Sequence, residues 1–277
     1  MSAPAPSPRR PRLADPAALL HGAPLSLRGR LTRISGLALE AALGGVCQGE
    51  VVEVGAGPPL LAEVVGLREE RAVLLPLGEP AGIGLDAAVR PTGAPLSVRA
   101  GEALLGRVLD GLGRPIDGRP SPGGLVSWAV DRPPPPALSR ARVRQPLPLG
   151  VRSLDGFLTV GRGQRLGLFA GAGVGKSLLL GRIARDAAAD AVVVCLVGER
   201  GREVREFVED ALGPDGLARS VVVAATSDAP ALVRLRAPQV ATALAEWLAE
   251  GGREVLFLCD SVTRFARAQR EVGLAAG

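Results

Sequence analysis

Apolar and polar positions follow two different rhythms along the chain. Between Leu25 and about Val89 the apolar runs are short (LSLRGRLTRI, VVEV, LLAEVVGL, RAVLLPL), and Gly or Pro separates them. Runs of strand length at this spacing predict a small antiparallel sheet or barrel. From Val151 the rhythm changes. QRLGLFA (164–170), AVVVCLV (191–197), SVVVAA (220–225) and EVLFLC (254–259) are continuous apolar runs, and each reads as a buried strand. Helical patterns lie between them. SLLLGRIARDAAA (177–189) is the first. Val204, Phe207, Val208, Ala211 and Leu212 form the stripe of a second, which Gly213-Pro214 ends. Val240, Leu244, Trp247 and Leu248 mark a third, closed by Gly251-Gly252. Strands apolar on both faces, alternating with helices, predict an α/β fold with a parallel sheet covered on two sides.

The same pass sets the expected domains. Residues 1–24 are Pro-rich, polar and basic, and read as a disordered tail. Residues 25–90 form the barrel. Residues 91–150 are rich in Gly and Pro and read as a connector, with the PPPP run at 133–136 necessarily extended. Residues 151–277 form the α/β domain.

Composition narrows the function. At 277 residues, 47% of them hydrophobic, the chain can bury one or two cores. No apolar run approaches the ~20 residues of a membrane span. The N-terminus has no apolar signal region. Cys47, Cys195 and Cys259 form no CxxC pair. They are expected to be reduced, buried thiols of a cytoplasmic protein, not metal ligands or bridges. His21, the single histidine, cannot support a triad or a zinc site. The net charge of +5 suggests nucleic acid at first sight. Residues 1–30, however, hold five arginines (9, 10, 12, 28, 30) and one acid, Asp15, so most of the excess sits in the tail. Aromatics are 3% and Tyr is absent, which leaves few stacking platforms. No nucleic-acid partner is expected. The tail suits an anionic membrane surface or a protein partner.

One lysine, Lys176, stands against 32 arginines, and it sits in GAGVGKS (171–177). This stretch joins the run 164–170 to the helical pattern 177–189, the context that a phosphate-binding loop requires. Gly171, Gly173 and Gly175 let backbone N–H groups turn toward phosphate oxygens. The following helix N-terminus favours negative charge. Lys176 adds a compact ammonium where the wide guanidinium of an arginine does not fit. Ser177 offers a hydroxyl to Mg²⁺. The usual pattern opens with glycine where this chain has Ala170. The loop as a whole, Gly171, Ala172, Gly173, Val174, Gly175, Lys176, Ser177 and Leu178, is the expected nucleotide cradle.

Two more strands end in acids. The run 191–197 leads into Gly198-Glu199-Arg200, and the run 254–259 ends at Asp260. Ligands of open parallel sheets sit at the carboxyl ends of strands, so the loop, Glu199 and Asp260 converge on one edge. Asp260 suits a Mg²⁺ site, acting through water. Glu199 suits a general base, or equally an acid placed to favour a helix N-terminus. Arg200 either reaches the γ-phosphate or pairs with a nearby acid, and Arg264 is open between a structural and a catalytic role.

Taken together, GLFAGAGVGKS, VGERGREVREFVED, VVVAATSDAP and CDSVTRFARAQREVGLAAG resemble the export ATPases of type III secretion systems, relatives of the catalytic subunit of rotary ATP synthases. PTG, GEALLGRVLDGLGRPIDG and PLPLGVRSLDG agree, and Ala170 fits this family. The resemblance covers roughly residues 25–277. It implies a RecA-like ATPase domain behind a barrel that drives assembly of a homohexamer. ATP and Mg²⁺ would be its cofactors. Lys176 and Ser177 would bind phosphate and Mg²⁺, Glu199 would activate water, Arg200 would contact the γ-phosphate side, and Asp260 would be the acid at the Mg²⁺. The expected partners are stator and central-stalk proteins and chaperone–substrate complexes, at the cytoplasmic side of the inner membrane. The injectisome branch is favoured over the flagellar branch.

Family members continue past the GLAAG stretch, so a C-terminal truncation is expected at Gly277. With it would go the rest of the sheet, the adenine pocket and an arginine finger, a group worth ~10³–10⁵ in rate in related chemistry. The truncated chain is expected to hydrolyse poorly and to expose a sheet edge prone to aggregation. The alternatives are a nucleotide-binding unit deficient in hydrolysis, and an RNA- or DNA-translocating motor on the same core.

Overall fold

The computed structural model describes residues 28–69, 71–171 and 173–276. The expected tail at 1–24, His21 and Ala172 lie outside the described residues.

Six strands close an antiparallel barrel: β1 (Gly29–Ser35), β2 (Ala38–Ala42), β3 (Glu50–Val54), β4 (Leu60–Arg68), β5 (Arg71–Pro76) and β6 (Ala88–Pro95), in the order β1-β2-β5-β4-β3-β6. The short runs of the sequence become strands because their alternate residues fill one interior. Leu31, Leu39, Val52, Val54, Val64, Leu74 and Val89 meet there. Each such side chain contributes roughly 1.5–3 kcal/mol on burial.

After the barrel, β7 (Ser97–Ala100) pairs antiparallel with β9 (Val126–Ala129), while β8 (Arg107–Asp110) leaves to join the main sheet. That sheet is parallel, in the order β12-β10-β11-β8, with β10 (Ala191–Val197), β11 (Ser220–Ala225) and β12 (Val255–Asp260). Every residue of β10 and β11 is buried, which is why both runs are apolar without alternation.

The helices are α1 (Arg152–Phe157), α2 (Lys176–Asp186), α3 (Gly201–Glu206), α4 (Gly213–Ala218), α5 (Ala231–Glu250) and α6 (Val262–Ala276), with a π-helical turn Phe207–Leu212 between α3 and α4. Alternate residues of β10 face opposite layers. Val192, Val194 and Leu196 pack with Leu180 and Ala184 of α2 and with Phe207 and Leu212. Val193, Cys195 and Val197 pack with Leu244 and Leu248 of α5 and with Ala268 of α6. A parallel sheet covered on two sides and preceded by a small barrel is therefore the architecture, as the patterning predicts, and it agrees with the RecA-like domain that the resemblance implies.

Three expectations are corrected. The run 164–170 is not a strand. It forms no ladder, Leu166 is 45% exposed and Phe169 97%, and Leu168 packs, partly buried, against the cores that hold Leu180 and Ile183. Among the described residues β12 is paired on one edge only, by β10. Apolar character on both faces is necessary for a central strand, but it does not supply the neighbour. The stretch 91–150 is more than a connector, since it provides β7, β8 and β9. The helical backbone after Glu199 does not stop at Gly213-Pro214. Gly213 turns it at φ 67°, and α4 restarts with Pro214 in its first turn, where a missing N–H costs little.

A buried ion pair joins barrel and sheet domain. Arg236 of α5 places Nε 2.7 Å from Glu63 Oε2 on β4, and its Nη2 donates to Oε1. All three cysteines are free. Cys195 is buried and Cys259 partly so, but Cys47, in the loop between β2 and β3, is exposed.

Candidate nucleotide site

The site forms where β10 and β12 end and α2 begins. Gly173 and Gly175 take the left-handed backbone, φ 76° and 92°. An added Cβ would meet nothing within 4 Å at either one, so the glycines are needed for conformation and not for space. Gly175 is the residue before α2, whose start carries no side-chain cap. Gly171 is exposed without a positive φ, and Val174 and Leu178 are each 67% exposed.

Lys176 opens α2 and reaches across to the end of β12. Its Nζ lies 2.5 Å from Asp260 Oδ1. Asp260 keeps 6% of its side chain exposed and Lys176 31%, so the carboxylate is desolvated and the ammonium still faces outward. Beside them is a cavity of about 300 Å³, lined by Ser177, Leu178, Glu199, Glu203, Glu206, Asp210 and Asp260 among others. Loop, β10 end and β12 end thus converge as the strand polarity requires.

Glu199 follows β10 and Gly198. Burial pushes its carboxyl up to about 7, a hydrogen bond with Glu203 adds to the rise, the Arg264 guanidinium opposes it, and the charge of Asp260 adds again. Glu203 is held low in turn, chiefly by that hydrogen bond and then by the Arg200 N–H. Arg264 of α6 donates to the Gly198 carbonyl and places Nη1 3.1 Å from Glu199 Oε2. It thereby ties the helix after β12 to the turn after β10. A side chain at Gly198 would run into Arg264 at 2.8 Å, and φ there is 69°.

The structure does not bring Arg200 into the cavity. Arg200 N and Nη1 donate to Glu203 at 3.2 and 3.0 Å, which closes a capping box at the start of α3. Glu203, Glu206 and Asp210, which the sequence reading left out, line the cavity with Glu199. Their spacing carries the signal: 203, 206 and 210 step by three and four, the separation of helical neighbours.

The donor set fits Mg²⁺-nucleotide. The Ser177 hydroxyl and the Asp260 carboxylate share one cavity beside the only ammonium side chain in the sequence. Among the described residues no group of three or more His, Cys, Asp or Glu is arranged as a metal cage. A hard cation that relies on few carboxylates, water and substrate phosphates is the one such a site suits. Among the described residues no helix is long and apolar enough to cross a membrane.

Comparison with known proteins agrees with this fold. Residues 150–277 match the profile of the ATP synthase alpha/beta family, nucleotide-binding domain, and residues 31–93 match that of the ATP synthase alpha/beta family, beta-barrel domain. The flagellum-specific ATP synthase of Caulobacter vibrioides is 53% identical over 262 residues, covering 92% of this chain and 58% of that protein. The type 3 secretion system ATPase of Xanthomonas euvesicatoria is 49% identical over 255 residues, covering 90% of this chain and 57% of its own. Among solved structures, the assembled ATPase EscN in complex with its central stalk EscO, from the enteropathogenic E. coli type III secretion system, superposes with a TM-score of 0.84 at 43% identity. That match covers 90% of this chain and 61% of EscN. The chain therefore spans less than two thirds of the length of each.

Proposed function

We propose, for a chain that belongs to the ATP synthase alpha/beta family, that it is the ATP-binding and ATP-hydrolysing part of a protein-export motor. The observation that carries this reading is the Lys176–Asp260 contact at 2.5 Å, which puts the phosphate loop against the acid that ends β12. Lys176 and the N–H groups of the loop 171–178 hold the β- and γ-phosphates. Ser177 and Asp260 are the residues that would hold Mg²⁺. When bound, Mg²⁺ neutralises charge that develops on the phosphates. Glu199 takes the proton of the attacking water. Its neighbour Glu203 keeps it from ionising too early, and Arg264 holds it in place. Arg200 joins the phosphates only by leaving Glu203. The test separates binding from turnover: Lys176→Ala should weaken nucleotide binding, whereas Glu199→Gln should keep it and lose hydrolysis. Parent-rate hydrolysis by Glu199→Gln would overturn the general-base assignment.

The coupling to export extends what the relatives' names state. On this reading the protein works as a homohexamer whose barrel contributes to ring assembly. It contacts central-stalk and stator proteins at the cytoplasmic side of the inner membrane, and releases and unfolds chaperone-bound substrates. The GEALLGRVLDGLGRP stretch favours the injectisome branch. The flagellar branch is the second reading, favoured by the 53% identity to the Caulobacter protein. Complementation decides between them: expression in strains lacking the flagellar or the injectisome ATPase should restore export in one background and not the other. Stimulation of hydrolysis by polyribonucleotide, and not by export chaperones, would reverse the assignment to protein export.

A further inference from the structure

Cys195 on β10 and Cys259 on β12 stand opposite each other in the parallel ladder. Both belong to the face covered by α5 and α6. Cys195 is fully buried there, and Cys259 packs against the same core while staying partly accessible. Adjacent strands run about 4.7–4.9 Å apart, inside the roughly 4.4–6.8 Å Cα window that a disulfide spans. The nucleotide reading uses neither thiol. Either one alone would be an ordinary small core residue. Their opposition in register makes an oxidised sulfur at one position meet a thiol at the other.

We propose that Cys195 and Cys259 form a site of oxidative modification that closes into a reversible disulfide when a peroxide reaches the pair. Cys259, the more accessible, attacks the peroxide. The O–O bond breaks, sulfur is oxidised to sulfenic acid, and the other oxygen leaves as water with the thiol proton. Cys195 then attacks the sulfenic sulfur. The S–O bond breaks, the S–S bond forms, and a second water carries away the remaining proton. Two thiols and one hydrogen peroxide thus give one disulfide and two waters. In-register parallel side chains stand about a strand spacing apart, whereas disulfide Cβ atoms prefer ~3.8 Å. The bond therefore draws β10 and β12 together and is easily reduced. The tie lies one residue before Asp260 and four before Glu199.

The test uses Cys47→Ser protein, which removes the exposed thiol and leaves the pair. Native protein is treated with hydrogen peroxide, unfolded, alkylated and mapped by mass spectrometry. Both thiols should disappear together, one cross-linked peptide pair should contain Cys195 and Cys259, and dithiothreitol should restore both. Cys195→Ser in the same background should give sulfenic or sulfinic Cys259 without a cross-link. Survival of both thiols at a peroxide concentration that oxidises Cys47 in the parent would overturn the proposal. So would over-oxidation of Cys259 beside an intact Cys195. The readout is covalent, so it stands or falls separately from the nucleotide reading.

Discussion

Lys176 Nζ and Asp260 Oδ1 meet at 2.5 Å across 84 residues of sequence. The pair ties the start of α2 to the end of β12, and it satisfies a nearly buried carboxylate with the one ammonium side chain of the sequence. A phosphate that enters the loop must compete with Asp260 for that ammonium. Asp260, once released, is free to face a cation.

Removing the ammonium should cost both binding and rest-state order. Hydrogen bonds to charged groups contribute about 1.5–3 kcal/mol. Lys176→Ala is therefore expected to weaken Mg²⁺-ATP binding by about 10- to 100-fold. Lys176→Arg, which can still pair with Asp260, should also bind poorly because the guanidinium is too wide for the cradle. Titration calorimetry checks both, and parent affinity in Lys176→Arg would sink the geometric argument.

Hydrolysis should depend on pH through Glu199. Its carboxyl is held up to about 7, first by burial and then by Glu203. Only the ionised form accepts a proton, so turnover should climb as pH rises through about 7. Stability runs the other way. The raised group favours the fold below the ordinary carboxylate range, and that contribution is lost as pH rises through about 7. Glu203→Gln removes the neighbouring carboxylate and should move the rate profile to lower pH. Rate–pH curves of parent and variant measure this.

Asp117 should make part of the stability sensitive to acid. Arg107 Nε and Nη2 donate to its two oxygens at 2.6 and 2.8 Å, and this holds the carboxyl well below its usual range, with Arg119 assisting. A depressed carboxyl contributes stability above its unfolded value, and the contribution disappears as pH falls toward the folded one. Asp117→Asn should lower the unfolding midpoint at neutral pH and flatten its acid dependence. Denaturant melts across the acid range test this.

Breaking Arg236–Glu63 should be costly from either side. Glu63 keeps 4% of its side chain exposed and Arg236 18%. Removing one partner of a buried pair leaves an uncompensated charge, at about 3–5 kcal/mol. Arg236→Ala and Glu63→Ala should each destabilise by that order. Replacing both by apolar residues of similar volume should recover most of it. Urea unfolding of the two single variants and the double variant measures the coupling.

Much of this arrangement was legible in the residues. β10, β11 and β12 could be read because a buried parallel strand needs apolar residues on both faces, and Lys176 and Asp260 followed from their places at element ends. β8 could not be read. Its four residues, RVLD, lie among Gly and Pro, and only pairing with β11 makes them a strand. The run 164–170 failed in the opposite way, with the right residues and no ladder. Glu206 and Asp210 were hidden because the apolar stripe drew the reading to packing, whereas the cavity is lined by Phe207 and Ala211 of that stripe together with the acids beside them.

Val51, Leu75 and Leu77 come from the barrel, yet they share one core with β10, β11 and α5. Close-packed interiors transmit strain and do not absorb it. Barrel and sheet are thus joined as the two arms of a rigid lever, with Arg236–Glu63 as a pin through the fulcrum. A small tilt of α5 would press on the barrel through these shared contacts.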